Sequence, residues 1–246
     1  MTEVKESMNT EPKIEISNTD QNPVSGSIMQ GKRGLIMGVA NDHSIAWGIA
    51  RALASQGAEL AFTYQSDSFA KRVEPLAASV GTSKLIECDV ADPTSIEKAF
   101  SKTTIIWEDL DFIVHAIAYS DKEELKGRYV DTSQENFLNT MNISCYSFTA
   151  VAQKAAQLMK NGGAMVTLTY HGAQQVMPNY NVMGVAKAAL ESSVRYLAAD
   201  LGPDKIRVNA ISAGPMRTLA GSAVGAARQV YNYNREVAPL RRNVIL

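Results

Sequence analysis

From Lys32 onward, short apolar runs rich in branched residues alternate with stretches whose apolar positions recur at helical spacing. A parallel sheet flanked by crossover helices reads in this way. RGLIMG is the first expected strand, and SIAWGIARALASQG the first helix, with Ser44 as its N-cap and Gly57 closing it. AELAFTY, a helix from about Asp67, KLIECD, a helix opening at DPTSIEKAF, and the strand LDFIVHAIAY follow. The second half adds a long helical region over about Ser133 to Met159, the strand AMVTLTY, a helix over about Asn179 to Leu201, and the strand IRVNAIS. Gly162, Gly163 and Gly202 fall at joints where left-handed turns are expected. Right-handed crossovers on this pattern predict an α/β, doubly wound parallel sheet with helices on both faces, binding ligands beyond the carboxyl ends of its strands.

At 246 residues and 46% hydrophobic, the chain suffices for one sizeable core, so a single domain over residues 31–246 is expected. Residues 1–30 are polar and net acidic, without the basic start and apolar core of a secretory signal, and read as a mobile tail. The 24 basic and 25 acidic residues balance to a net charge of -1, which gives no pull toward nucleic acid or an anionic membrane. No apolar run approaches the roughly 18 residues of a membrane span. Cys88 and Cys145 stand far apart without metal-ligand spacing, and the three histidines have no triad spacing. Neither a disulfide framework nor a metal site is therefore expected, and a reducing cytoplasm fits.

After strand one comes GVANDHSIAWGIA: a glycine, a polar loop, and a helix start. N–H groups at a helix N-terminus form a pyrophosphate site without any lysine, and Gly38 would let the backbone turn closely over the phosphates. GxGxxG itself is absent, and any strand-to-helix joint can carry Gly and Ser. Gln65 ends strand two about where Rossmann-like folds keep a residue for the adenosine ribose. With no Arg or Lys immediately beside it, NADH is preferred over NADPH, although Lys71 and Arg72 keep the alternative open. Asp89, ending strand three, would accept from the adenine amino group or cap its own loop. His115, in strand four, reads as packed rather than catalytic.

TYHGAQQVMPNYNVMGVAK, residues 169–187, carries Tyr170, Tyr180 and Lys187. Seven residues of helix advance about 10 Å and nearly two turns, so Tyr180 and Lys187 would face one way, with Gly184 leaving the groove between them open to a flat ligand. The plainer reading is a tyrosine, a snorkelling lysine and a glycine that admits a neighbour. Placement favours chemistry, since the group sits at a strand end, on the edge of the proposed phosphate loop. Hydride delivered from a nicotinamide to an enoyl thioester puts charge on the thioester oxygen. Tyr180 can donate to it while Lys187 holds the nicotinamide ribose, and Tyr170 serves as a wall or a second donor.

GVANDHSIAWGIA, TYQ, CDV, KGRYVDTS and YNVMGVAKAALE…VRYLAADLGPDKIRVNAISAGP together resemble the bacterial enoyl-acyl carrier protein reductases of type II fatty acid synthesis. These are a divergent branch of the short-chain dehydrogenase/reductase superfamily. The resemblance runs from about Gly31 to the end of the chain. Ordinary members of the superfamily place the lysine four positions after the tyrosine, where Gly184 stands here. The resemblance implies Tyr180, Lys187 and Tyr170 as catalytic residues. It assigns Gly38, Ser44 and Ile45 to the pyrophosphate loop, Gln65 to the ribose, Asp89 and Val90 to the adenine pocket, and Ile117, Met216 and Thr218 to the nicotinamide side. It further implies NADH as cofactor, an enoyl thioester on acyl carrier protein as substrate, and a homotetramer packed through two long helices.

Residues 216–236, small and glycine-rich, read as a substrate lid. Over 216–246, Arg217, Arg228, Arg235, Arg241 and Arg242 oppose Glu236 alone, a basic rim that could attract an acidic carrier protein. The resemblance implies a continuation past LRRNVIL into a further helix and a final strand, so either the chain is shortened or the expected sheet lacks its last strand and bares an edge. Two rival functions stand beside this one. A ketone or alcohol oxidoreductase would use Thr167 or Thr169 beside the tyrosine, and a silent nucleotide sensor would share the fold without turnover.

Overall fold

The computed structural model describes residues 23–222 and 227–246. In chain order it contains β1 (Arg33–Met37), α1 (Ile45–Ser55), β2 (Glu59–Tyr64), α2 (Asp67–Ser79), β3 (Leu85–Glu87), α3 (Pro93–Ile106) and β4 (Phe112–His115). The second half holds α4 (Gln134–Met141), a π-turn (Asn142–Tyr146), α5 (Ser147–Ala156), β5 (Gly163–Thr169), α6 (Asn181–Leu201), β6 (Ile206–Ser212), α7 (Leu219–Ser222) and α8 (Ala227–Val237). All six strands pair in parallel in the order β3-β2-β1-β4-β5-β6, with β6 at an edge. The chain order reverses between β1 and β4, which is where a doubly wound sheet opens a crevice.

Period-two alternation of each strand supplies two cores. Leu35 and Met37 of β1, Ala61 of β2 and Ile113 of β4 face Phe100 of α3, Val151 of α5 and Leu190 of α6. Ile36, Leu60, Phe62, Phe112 and Val114 face the other way, onto Trp47 of α1 and Val73 of α2. Both faces are covered, which is why these strands read as nearly continuous apolar runs. The last two strands alternate instead: Met165, Thr167 and Thr169 of β5 are buried between half-buried neighbours, and in β6 Ile206 and Val208 are buried while Arg207 and Asn209 are exposed.

Local signals account for some element ends. Asp92 caps α3 by accepting the Thr94 N–H at 2.8 Å, and Pro93 opens it. The long helical region expected over Ser133 to Met159 is present but interrupted by the π-turn, whose role emerges at the site. Of the three joint glycines, Gly162 alone is left-handed, at φ 81°; before β6 it is Lys205 that takes φ 61°. Within the expected tail, residues 1–22 lie outside the described residues. Beyond them the chain is fastened to the end of α1: Gly26 N–H donates to Ser55 O at 2.9 Å, Met29 N–H to Gln56 O at 2.9 Å, and Gln56 Nε2 to Val24 O at 2.7 Å.

Candidate active site

Every strand delivers residues to one cleft of about 1060 Å³ at its carboxyl end. Gly38 follows β1, Gln65 follows β2, Asp89 and Val90 follow β3, Ile117 follows β4, Tyr170 follows β5, and Met216 and Thr218 lie beyond β6. Ser44 and Ile45 enter from the start of α1, and Tyr180 and Lys187 from α6 and its cap. The structure thus gathers all the site residues read from the sequence. The parallel register makes this possible by aligning the strand ends along a single edge.

On the nucleotide side the mechanism differs from the expected one. Ser44 occupies the N-cap position of α1, yet its side chain makes no cap bond. Its Oγ instead accepts the Ala40 N–H at 3.0 Å and the Asn41 N–H at 3.1 Å, folding the loop back on itself. The first N–H groups of α1 are left without a side-chain cap, as an anion site at a helix start requires. Gly38, at φ 97°, is needed because a Cβ there would lie 2.1 Å from the Ala116 carbonyl oxygen. The close approach is to the end of β4, and it lets two strand ends share the crevice. At the far end, Asp89 performs the loop-capping role and also lines the cleft. Its Oδ1 accepts the Ala91 N–H at 3.0 Å, capping the loop, while Oδ2 accepts from Gln65 Nε2 at 3.4 Å and lines the cleft. Neither Lys71 nor Arg72 lines it; Arg72 lies 5.8 Å from the Phe69 ring centroid.

On the other side, Tyr180 is not inside the helix but caps it, and its carbonyl accepts the Met183 N–H at 2.9 Å. The two-turn spacing therefore does not describe the pair, although both groups line the cleft as expected. Gly184 is a correction. It does not line the cleft; a Cβ there would meet the Gly172 carbonyl oxygen at 2.8 Å, so the glycine admits the backbone turn between β5 and α6 rather than a ligand. Gly172 in turn makes room for the Tyr180 ring, which a Cβ would approach to 2.5 Å. The same turn carries Tyr170, whose ring meets Tyr180 edge-on at 5.2 Å between centroids. Burial, and then Tyr170, push the Tyr180 phenol well above the ordinary tyrosine range, so it is a proton donor at neutral pH.

Lys187 is buried, and its Nζ donates to Leu168 O at 2.8 Å. Burial lowers it to about 8, which leaves it mostly an ammonium at pH 7. His115 lies fully buried behind it, with Nε2 2.9 Å from Ser147 Oγ. Burial, then Lys187, lower the imidazole to about 3, so it stays neutral and acts as packing.

Sequence reading missed two contributors. Ser144, in the π-turn, accepts the Tyr119 N–H and donates to the Tyr119 carbonyl, both at 2.9 Å, and so clamps the loop after β4 at the cleft wall. The extra residue of a π-turn turns Ser144 inward, and no periodic signal marks it. Tyr231 of α8 also lines the cleft and donates to Met216 O at 2.6 Å. Among the described residues no group of three or more His, Cys, Asp or Glu could hold a metal ion, and no helix is long and apolar enough to cross a membrane.

This geometry has close relatives. A family model described as enoyl-(acyl carrier protein) reductase matches residues 38–245. Enoyl-[acyl-carrier-protein] reductase [NADH] 2 of Rhizobium meliloti (strain 1021) is 61% identical over 219 residues, covering 89% of this chain and 82% of the relative. The corresponding reductase of Rickettsia bellii is 54% identical over 218 residues, covering 89% and 83%. Among solved structures, FabI from Candidatus Liberibacter asiaticus superposes with a TM-score of 0.88 at 56% identity, covering 89% of this chain and 85% of that one. The Anaplasma phagocytophilum reductase, in complex with NAD, gives 0.86 at 56% identity, covering 91% and 83%. With the family model matching residues 38–245 and relatives 54 to 61% identical over most of its length, this chain belongs to the enoyl-(acyl carrier protein) reductase family.

Proposed function

We propose that this chain reduces the trans-2 double bond of enoyl-acyl carrier protein thioesters with NADH, the last reductive step of the type II fatty acid elongation cycle. The observation that carries this reading is the convergence of an uncapped helix start, a partly buried phenol and a buried ammonium on one cleft. The residues present fit NADH. Gly38 keeps the phosphate loop close to β4, the start of α1 suits a pyrophosphate, and Gln65 with Asp89 suits an adenosine. Lys187, with its one backbone acceptor, has donors left for ribose hydroxyls.

Bound there, NADH supplies the hydride that adds to the double bond. Negative charge then develops on the thioester oxygen, and Tyr180 donates a hydrogen bond to it from the wall of the cleft. Its ring is held by Tyr170 and by the turn at Gly172, so little reorganisation is needed. Lys187 places positive charge nearby, and Tyr170 completes the wall. The segment 216–236 acts as a lid; Leu219, Val230 and Tyr231 from it line the cleft, while residues 223–226 lie outside the described residues. Free, buried Cys88 and Cys145 accord with action in the cytoplasm.

A ketone reductase would need a hydroxyl beside the tyrosine. Thr167 Oγ1 instead donates to His115 O at 3.0 Å, and Thr169 Oγ1 to Glu191 Oε1 at 2.8 Å. Loss of NADH absorbance with a crotonyl thioester, and none with an acetoacetyl thioester, is the expected result. Oxidation with acetoacetyl alone would transfer the chain to the rival reaction, and NADH binding without oxidation of either would make it a sensor.

The assembly in this reading is a homotetramer built through α4–α5 and α6, supported by the exposed apolar groups Leu138, Tyr146 and Tyr196 on these helices. Light scattering should return four chain masses; a monomer at micromolar concentration would overturn it.

A further inference from the structure

Tyr180 is bracketed by two non-glycine residues in the left-handed region, Asn179 at φ 56° and Asn181 at φ 33°. Left-handed backbone disfavours residues with a Cβ, asparagine least among them, and persists where surrounding structure enforces it. At Asn181 the enforcing contact is visible. Its Nδ2 reaches three backbone carbonyls of one loop, Glu124 O at 3.2 Å, Lys126 O at 3.3 Å and Gly127 O at 3.4 Å. Leu125 of that loop is buried and packs in one small cluster with Val182, Met183 and Tyr180. The loop is itself pinned from the far side, where the Glu124 carboxylate accepts the Ser133 N–H at 2.9 Å and the Ser133 hydroxyl at 2.8 Å.

We propose that Asn181 is a positioning residue for Tyr180: its carboxamide, gripping the carbonyls of residues 124–127, holds the left-handed backbone that aims the phenol into the cleft. A residue at 181 that took the ordinary negative helical φ would regularise the first turn of α6 and rotate its cap, Tyr180. The phenol would then shift within the cleft that it lines with Tyr170 and Lys187. Aspartate keeps the shape and the tolerance for positive φ, yet turns a donor into a carboxylate facing three carbonyl oxygens. Glycine keeps the backbone freedom and loses only the grip.

The inference rests on Tyr180 being the proton donor of the proposed reaction, and the test separates the two. Turnover of a crotonyl thioester is measured for Asn181→Ala, Asn181→Asp, Asn181→Gly and Tyr180→Phe, and for Asn181→Ala combined with Tyr180→Phe. A misplacement of about 1 Å can cost roughly 100-fold, so Asn181→Ala and Asn181→Asp should lower kcat by about 10- to 100-fold, and Asn181→Gly by less. KM for NADH should stay within about twofold, because the nucleotide side is untouched. In the Tyr180→Phe background, Asn181→Ala should add nearly nothing, since there is no hydroxyl left to aim. A second loss that multiplies the first would overturn the positioning role while leaving the function in place. So would wild-type kcat in Asn181→Ala. Full turnover in Tyr180→Phe would instead remove the functional reading itself. Should Asn181→Ala fail to fold, Asn181→Gly carries the same cycle.

Discussion

Tyr180→Phe should abolish most turnover while leaving NADH bound as before. Losing one donor to a developing oxyanion in a dry site costs about 2.7 to 4 kcal/mol, or roughly 100- to 1000-fold in rate. The ring itself should stay in place, because its edge-on contact with Tyr170 and its fit against Gly172 involve carbon atoms that phenylalanine keeps. The nucleotide side, built from the starts of α1 and the loops after β1 to β3, does not touch the hydroxyl. The measurement is kcat with a crotonyl thioester beside an NADH titration by fluorescence. Turnover within a few-fold of the parent would take Tyr180 out of the reaction; weakened NADH binding would show that the ring, not the hydroxyl, was disturbed.

Gly38→Ala is expected to damage both fold and cofactor binding. At φ 97° the backbone is outside what a residue with a Cβ adopts, at a cost on the order of 1–3 kcal/mol. The Cβ would also lie 2.1 Å from the Ala116 carbonyl oxygen, and two backbones cannot yield as a flexible side chain would. Relief requires parting the ends of β1 and β4, which is where the crevice opens. At about 2–4 °C per kcal/mol for a chain of this size, the melting temperature should fall by roughly 4 °C or more, and NADH affinity should weaken by at least about tenfold. Gly81→Ala is the control. Its φ is 80°, nothing lies within 4 Å of the added carbon, and it does not line the cleft. It should lose stability and keep NADH. Equal losses of NADH in both variants would mean that the effect at Gly38 is global destabilisation alone.

Much of this architecture was legible in the chain because it rests on local periods. The alternation of apolar runs and helical patterns follows from strands buried on both faces, as the division of Leu35 and Met37 from Ile36 makes concrete. In a parallel sheet a strand's carboxyl end is also a place, so Gly38, Gln65, Asp89 and Tyr170 could be assigned to one edge from their positions after apolar runs. Lys187 was legible by its distance from Tyr180 within one segment.

What the sequence determined by itself was therefore the alternation of strands and helices through β6 and the strand-end edge that Tyr180 and Lys187 line, but not the π-turn or the helices α7 and α8. Only the tertiary structure decided how those groups are held. Ser44 folds its loop instead of capping α1, Gly184 receives the Gly172 carbonyl instead of a ligand, and Ser144 clamps Tyr119 from a π-turn. Asn181 grips a loop 54 to 57 residues earlier. Periodicity encodes which side of an element faces inward, because apolar residues recurring on one face are driven together out of water. It carries no record of which distant backbone arrives there, since that follows from the order in which the strands assemble.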